Sequence, residues 1–80
     1  MRDMKEGRLS YNSSNDRYGL LVAGIWENSG FHCNECFEVE VDGEWVVTRI
    51  EKSWSGDGSE WYLENTPYHG NLENIRARIG

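Results

Sequence analysis

The amino-acid sequence predicts an all-β protein, a small SH3-like barrel of five to six short antiparallel strands with at most one short helical turn. Three observations carry this expectation. Apolar residues come in short runs separated by glycine or by Asn/Ser/Asp clusters. From Phe37 to Asp42 the chain alternates strictly between apolar and charged residues, and Gly43 follows. No segment shows helical periodicity, and turn signals recur about every ten residues, as in small barrels and sandwiches.

Leu9 and Tyr11 mark a first strand, and Asn12-Ser13-Ser14-Asn15-Asp16 a polar turn. A second strand covers 17–22, Ala23-Gly24 interrupts it before Ile25-Trp26, and Glu27-Asn28-Ser29-Gly30 is another turn. Phe37, Val39 and Val41 then alternate with Glu38, Glu40 and Asp42. Asp42-Gly43 is a strong two-residue hairpin signal, because a type I′ turn needs positive φ at both central positions. That turn pairs Val41 with Glu44, Glu40 with Trp45, Val39 with Val46, Glu38 with Val47 and Phe37 with Thr48. Paired residues share a face, so Phe37, Val39, Val46, Thr48 and Ile50 face the core. Cys36, Glu38, Glu40, Trp45, Val47 and Arg49 form the other face. Residues 53–59 read as a loop, 61–63 as a strand, 65–70 as a loop around Pro67, 72–75 as a short helical turn, and 76–79 as a closing strand.

Eighty residues make one domain, 7–80, behind a flexible N-terminus, 1–6. A chain of this size buries only about 60–65 % of its unfolded surface, so the core is thin and aromatic residues supply much of its volume. Four tryptophans stand beside only five leucines. Trp26 and one of Trp45 or Trp61 are expected in the core, with Trp54 the most exposed.

The net charge is −6, with ten acids and two bases between Glu27 and Glu64. The other cations sit near the termini, at Arg2, Lys5, Arg8, Arg17, Arg76 and Arg78. A negative surface repels phosphate, so direct nucleic-acid binding is not expected. The charged N-terminus has no apolar run behind it, and the stretch 20–25 is too short to span a bilayer, so a cytoplasmic protein without membrane contact is expected. Its two cysteines should then stay reduced.

The stretches Arg17-Tyr18-Gly19-Leu20, Trp26, Gly30-Phe31-His32-Cys33, Phe37-Glu38-Val39, Asp42-Gly43-Glu44-Trp45-Val46, Thr48-Arg49-Ile50-Glu51, Trp61-Tyr62-Leu63 and Ile75-Arg76-Ala77-Arg78-Ile79 carry a resemblance. Through them the chain resembles a family of short Gram-positive bacterial proteins, a domain of unknown function often encoded near mobile elements. In that pattern a Gly-Asp pair stands where this chain has Asn34-Glu35, so its tight turn is built differently. The resemblance implies a compact β domain. It assigns no activity and no site, and the aromatic groove and acidic loop of peptide-binding SH3 domains are not recognisable.

His32, Cys33 and Cys36 form a weak zinc alternative. A Cys-x-x-Cys pair can hold two corners of a tetrahedral site, but adjacent His32 and Cys33 ligate together awkwardly, and a second pair is missing. A redox role is disfavoured because the motif leads into a strand and not a helix N-terminus. No nucleophile elbow, phosphate loop or His-Glu-x-x-His occurs, so no catalytic residue and no cofactor are assigned. The favoured function is a non-catalytic protein-interaction module that binds an unidentified protein through Trp45, Arg49, Trp54, Glu38 and Glu40. Aromatic and arginine residues dominate such contacts. Two alternatives stand beside it: an acidic, nucleic-acid-mimicking inhibitor, and a zinc-stabilised β domain. Arg49 is also placed for a plain cross-strand ion pair with Glu38.

Overall fold

The structure is a computed structural model that describes residues 4–56 and 58–80. Seven strands follow in order: β1 (Lys5–Asn12), β2 (Arg17–Val22), β3 (Ile25–Asn28), β4 (Cys36–Val41), β5 (Glu44–Ser55), β6 (Gly58–Leu63) and β7 (Arg76–Ile79). All neighbours pair antiparallel in one sheet, ordered β3-β2-β1-β7-β4-β5-β6. The all-β class holds, and no helix occurs among the described residues. The barrel does not. With seven strands and two edges, β3 and β6, the sheet stays open.

Two three-stranded meanders, β1-β2-β3 and β4-β5-β6, are joined in this sheet by β7. Its register sets Gly7 opposite Ala77 on one side and Val39 opposite Ala77 on the other. Ala77 is completely buried. The β4–β5 hairpin has the register that its turn demands, from Val41↔Glu44 to Cys36↔Arg49. Asp42 and Gly43 both take positive φ, 51° and 85°. Ala23-Gly24 makes a second such turn between β2 and β3, with φ of 53° and 80°. An alanine is strained there by its Cβ.

Core side chains from the sheet are Leu9, Tyr18, Leu20, Phe37, Val39, Ile50, Leu63 and Ala77. They project from one face, as the period of two requires. An open sheet leaves that face wet unless something covers it, and here two loops do. The β3–β4 loop inserts Phe31, whose ring stacks on Phe37 at 4.3 Å between centroids. The β6–β7 loop inserts Leu72, also fully buried, and packs Tyr68 against the core. Backbone bonds fasten both loops: the Phe31 amide donates to the Tyr18 carbonyl, and the Leu63 amide to the Tyr68 carbonyl. The Leu72 amide donates to the Tyr18 hydroxyl at 3.3 Å.

Several elements differ from the sequence expectation. The 53–59 loop is instead the end of a hairpin, since Ser53↔Glu60 and Trp54↔Ser59 continue the β5–β6 ladder; Asp57 lies outside the described residues. The 72–75 segment is a turn with Asn74 at φ 66° and not a helix. Of the N-terminus expected to be flexible, residues 1–3 lie outside the described residues, while Lys5 and Glu6 are already paired with Ile79 and Arg78. Trp26 is not core. It sits on edge strand β3, 37 % exposed, over Gly19.

Deleting residues 76–80 should abolish the cooperative thermal transition followed by circular dichroism, because β7 is the strand that joins the two meanders within the sheet. Ala23→Asn should raise stability to urea by about 0.5–1 kcal/mol, since asparagine tolerates the left-handed conformation better.

Candidate functional site

The residues nominated from the sequence fall on two opposite faces. Glu38, Glu40, Trp45 and Arg49 share the outer face, as their register requires. Trp54 has the parity of Ile50 and lies on the core side, beyond the core's end. The sequence therefore grouped residues that the fold separates. The cause is the continuation of β5 past Lys52, which gives Trp54 a defined face.

On the outer face Glu38, Glu40 and Trp45 are occupied by arginines of β7. Arg76 pairs with Glu6 at 2.6 Å and Glu40 at 2.7 Å, and Arg78 pairs with Glu38 at 2.9 Å. Both guanidinium groups lie over the Trp45 ring, at 5.5 and 4.2 Å from its centroid. Arg49 does not pair with Glu38. It takes Glu64 instead, through Nε and Nη2 at 3.0 and 2.8 Å. Hydrogen bonding and the charge of Glu64 raise the Arg49 pKa, and Glu6, followed by Glu40, does the same for Arg76. These arginines therefore stay cationic throughout the working range. Val47, 61 % exposed, is the most open of the large hydrophobic residues on this face.

The core side carries a different constellation. Lys52, Trp54 and Trp61 alternate on one face of the β5–β6 hairpin, with Lys52 opposite Trp61. The Lys52 ammonium lies 4.9 Å from the centroids of both tryptophan rings. Trp54 is 74 % exposed, the highest value among the large hydrophobic residues described. Asn15, Asp16, Arg17 and Cys33 complete the walls of a cleft of about 310 Å³. Residues 15–17 belong to the β1–β2 end of the sheet, with β1, β7 and β4 between them and the hairpin. The cleft thus spans the gap across which the curled sheet fails to close. Neither Arg17 nor Lys52 has a carboxylate partner among the described residues. Arg17 donates to the Phe31 carbonyl at 3.2 Å. Reading 53–59 as a loop hid this cleft; the period of two from Ile50 through Lys52 to Trp54 was the signal for it.

His32, Cys33 and Cys36 are not assembled as a ligand set. Both cysteines are free and exposed; Cys33 lines the cleft, while Cys36 lines a hollow of about 160 Å³ with Met4, Glu38, Val47 and Arg78. Among the described residues no group of three His, Cys, Asp or Glu side chains is placed to hold a metal. The loop is held by Glu35 instead. Its carboxylate accepts from the His32 amide at 3.0 Å and from Asn28 Nδ2 at 3.2 Å. Asn34 supplies the positive φ, 72°, that the turn needs. Neither histidine lines any of the three described hollows.

Cys33→Ser and Cys36→Ser, like added chelator, should leave the free energy of unfolding in urea unchanged to within about 0.5 kcal/mol. Glu35→Ala should cost about 1–2 kcal/mol in the same measurement, because it strands the acceptor's two donors.

No curated protein matches the chain. A crystal structure of a protein from Ruminococcus gnavus, a structural-genomics target, superposes with a TM-score of 0.70. It is 36 % identical, and the match covers 92 % of this chain and 99 % of that one. No helix among the described residues is long and apolar enough to cross a membrane. The family model described as a domain of unknown function, DUF5348, matches residues 7–79, so the chain belongs to that family.

Proposed function

We propose that this protein is a non-catalytic protein-interaction module whose contact centre is Trp54, flanked by Lys52 and Trp61. The observation that carries this reading is the exposure of Trp54, 74 %, on a paired strand rather than a floppy loop. Burying such a ring removes about 150–250 Å² from water at little entropic cost, which is why tryptophan is enriched among interface hot spots. A rigid backbone beneath it lowers the cost further. The outer face is the weaker candidate. Its Trp45 is covered by two arginines, and its Glu38 and Glu40 are neutralised by the same groups. Substitutions there disturb the sheet as well as any contact.

Catalysis finds little support in the site. The two histidines stand outside the clefts, and the Ser10 hydroxyl, which donates to the Glu73 carboxylate at 2.8 Å, belongs to an exposed pair whose carboxylate also accepts from the Tyr11 amide. The decoy reading is weakened by the pairing of Glu6, Glu38, Glu40 and Glu64 with arginines, since an imitation of a phosphate track needs unpaired charge. Two free, exposed thiols suit a reducing compartment, which supports a cytoplasmic setting.

Trp54→Ala should leave thermal unfolding unchanged and abolish capture of a partner from a lysate of the native host by the immobilised protein. Val47→Asp, on the outer face, should leave capture intact. The reverse pattern moves the contact to the outer face and overturns this assignment.

A further inference from the structure

Among the described residues three cations are tied to carboxylates, and four, Lys5, Arg8, Arg17 and Lys52, are not. Arg49, Arg76 and Arg78 are each tied to carboxylates. Arg17 and Lys52 have no carboxylate partner among the described residues, and they meet in the cleft beneath Trp54. Among the described residues the one acid lining that cleft is Asp16, whose carboxylate accepts from the Tyr11 hydroxyl. In a protein of net charge −6, this is a local positive site set against two tryptophan rings.

We propose that the cleft binds an extended acidic segment of a protein partner, with an aromatic side chain stacked on Trp54 and carboxylates set against Lys52 and Arg17. This inference rests on the reading of Trp54 as the contact centre and adds the chemistry of the partner. Offset stacking on a tryptophan face suits an aromatic anchor. The two cations fix the sign of the flanking charge, because like charges placed together across a contact cost several kcal/mol. Single-stranded nucleic acid offers the same pair of features, a ring and an anion. It is the less suited occupant, because its charge repeats at every nucleotide. The site supplies a single pair of cations, and Glu51 and Glu60 lie on the reverse side of the same hairpin. A short acidic peptide needs only the local pair.

The test is a titration of the full chain followed through the indole N–H resonances of its four tryptophans. The probes are acetyl-EDYED-amide, acetyl-KKYKK-amide and hexathymidylate. The acidic peptide should move the Trp54 and Trp61 resonances while leaving Trp26 and Trp45 in place. The basic peptide should bind at least about tenfold more weakly, and Lys52→Glu should reverse that order. Equal binding of the two peptides by the natural chain overturns the proposal, as does tighter binding of hexathymidylate at the same resonances. So does the absence of any shift with the acidic peptide at millimolar concentration. Thermal unfolding of Lys52→Glu, expected unchanged, separates a lost contact from a lost fold, and Arg17→Gln provides a second variant with the same expected weakening. If partner capture depends on Trp54 but is unaffected by Lys52→Glu, the acidic assignment falls while the interaction module stands. Capture that ignores Trp54 brings down both.

Discussion

The whole sheet depends on the four residues of β7, which enter between β1 and β4 and hydrogen-bond to both. Each meander on its own is a three-stranded sheet with one apolar face, the minimum that holds together in water. Only when β7 fills the gap does a continuous apolar surface run from Leu20 to Leu63. The fit at this point is tight. Ala77 has no exposed surface, and a side chain at Gly7, its partner in β1, would run into the Leu21 carbonyl. Gly7 has to be a glycine, because the β2 backbone passes too close to it for any side chain.

Joining the meanders through the chain's last strand also rearranges its charge. The acids crowd the middle of the sequence and the arginines its end, yet β7 carries Arg76 and Arg78 into the row that contains Glu6, Glu38 and Glu40. Individually, such half-exposed pairs contribute little. Their consequence is rather that Glu6, Glu38 and Glu40 are paired with cations and that Trp45 lies under guanidinium groups. An aromatic that looked like a contact residue is thereby made part of the sheet's own surface.

The open form of the sheet explains where a partner can land. A closed barrel would pair β3 with β6 and fill its interior. Here the core face is covered instead by Phe31 from one loop and Leu72 from another, both fully buried. That cover ends before the tip of the β5–β6 hairpin. The face beyond it keeps the apolar character of a core while staying open to solvent, and there Trp54, Trp61 and Lys52 gather with Arg17. Site and fold have the same origin, a sheet that curls without closing.

The sequence by itself determined the local structure. The β4–β5 hairpin, its register, its two faces and the burial of Phe37, Val39, Thr48 and Ile50 follow from Asp42-Gly43 and a period of two, both local properties. The closing strand was legible for the same reason. Trp54 was legible as exposed. Its neighbours were not, because Gly56, Asp57 and Gly58 have a loop composition although the strands around them go on pairing. Ala23-Gly24 was hidden as a turn because alanine is a poor residue for positive φ. What only the tertiary structure decided is long-range. It placed β7 between β1 and β4, tied Arg49 to Glu64 rather than Glu38, sent Cys33 and Cys36 to different hollows, and left the sheet open. Those outcomes depend on which distant strands compete for the same edge and on how loops fill the core face. No window of neighbouring residues encodes that competition.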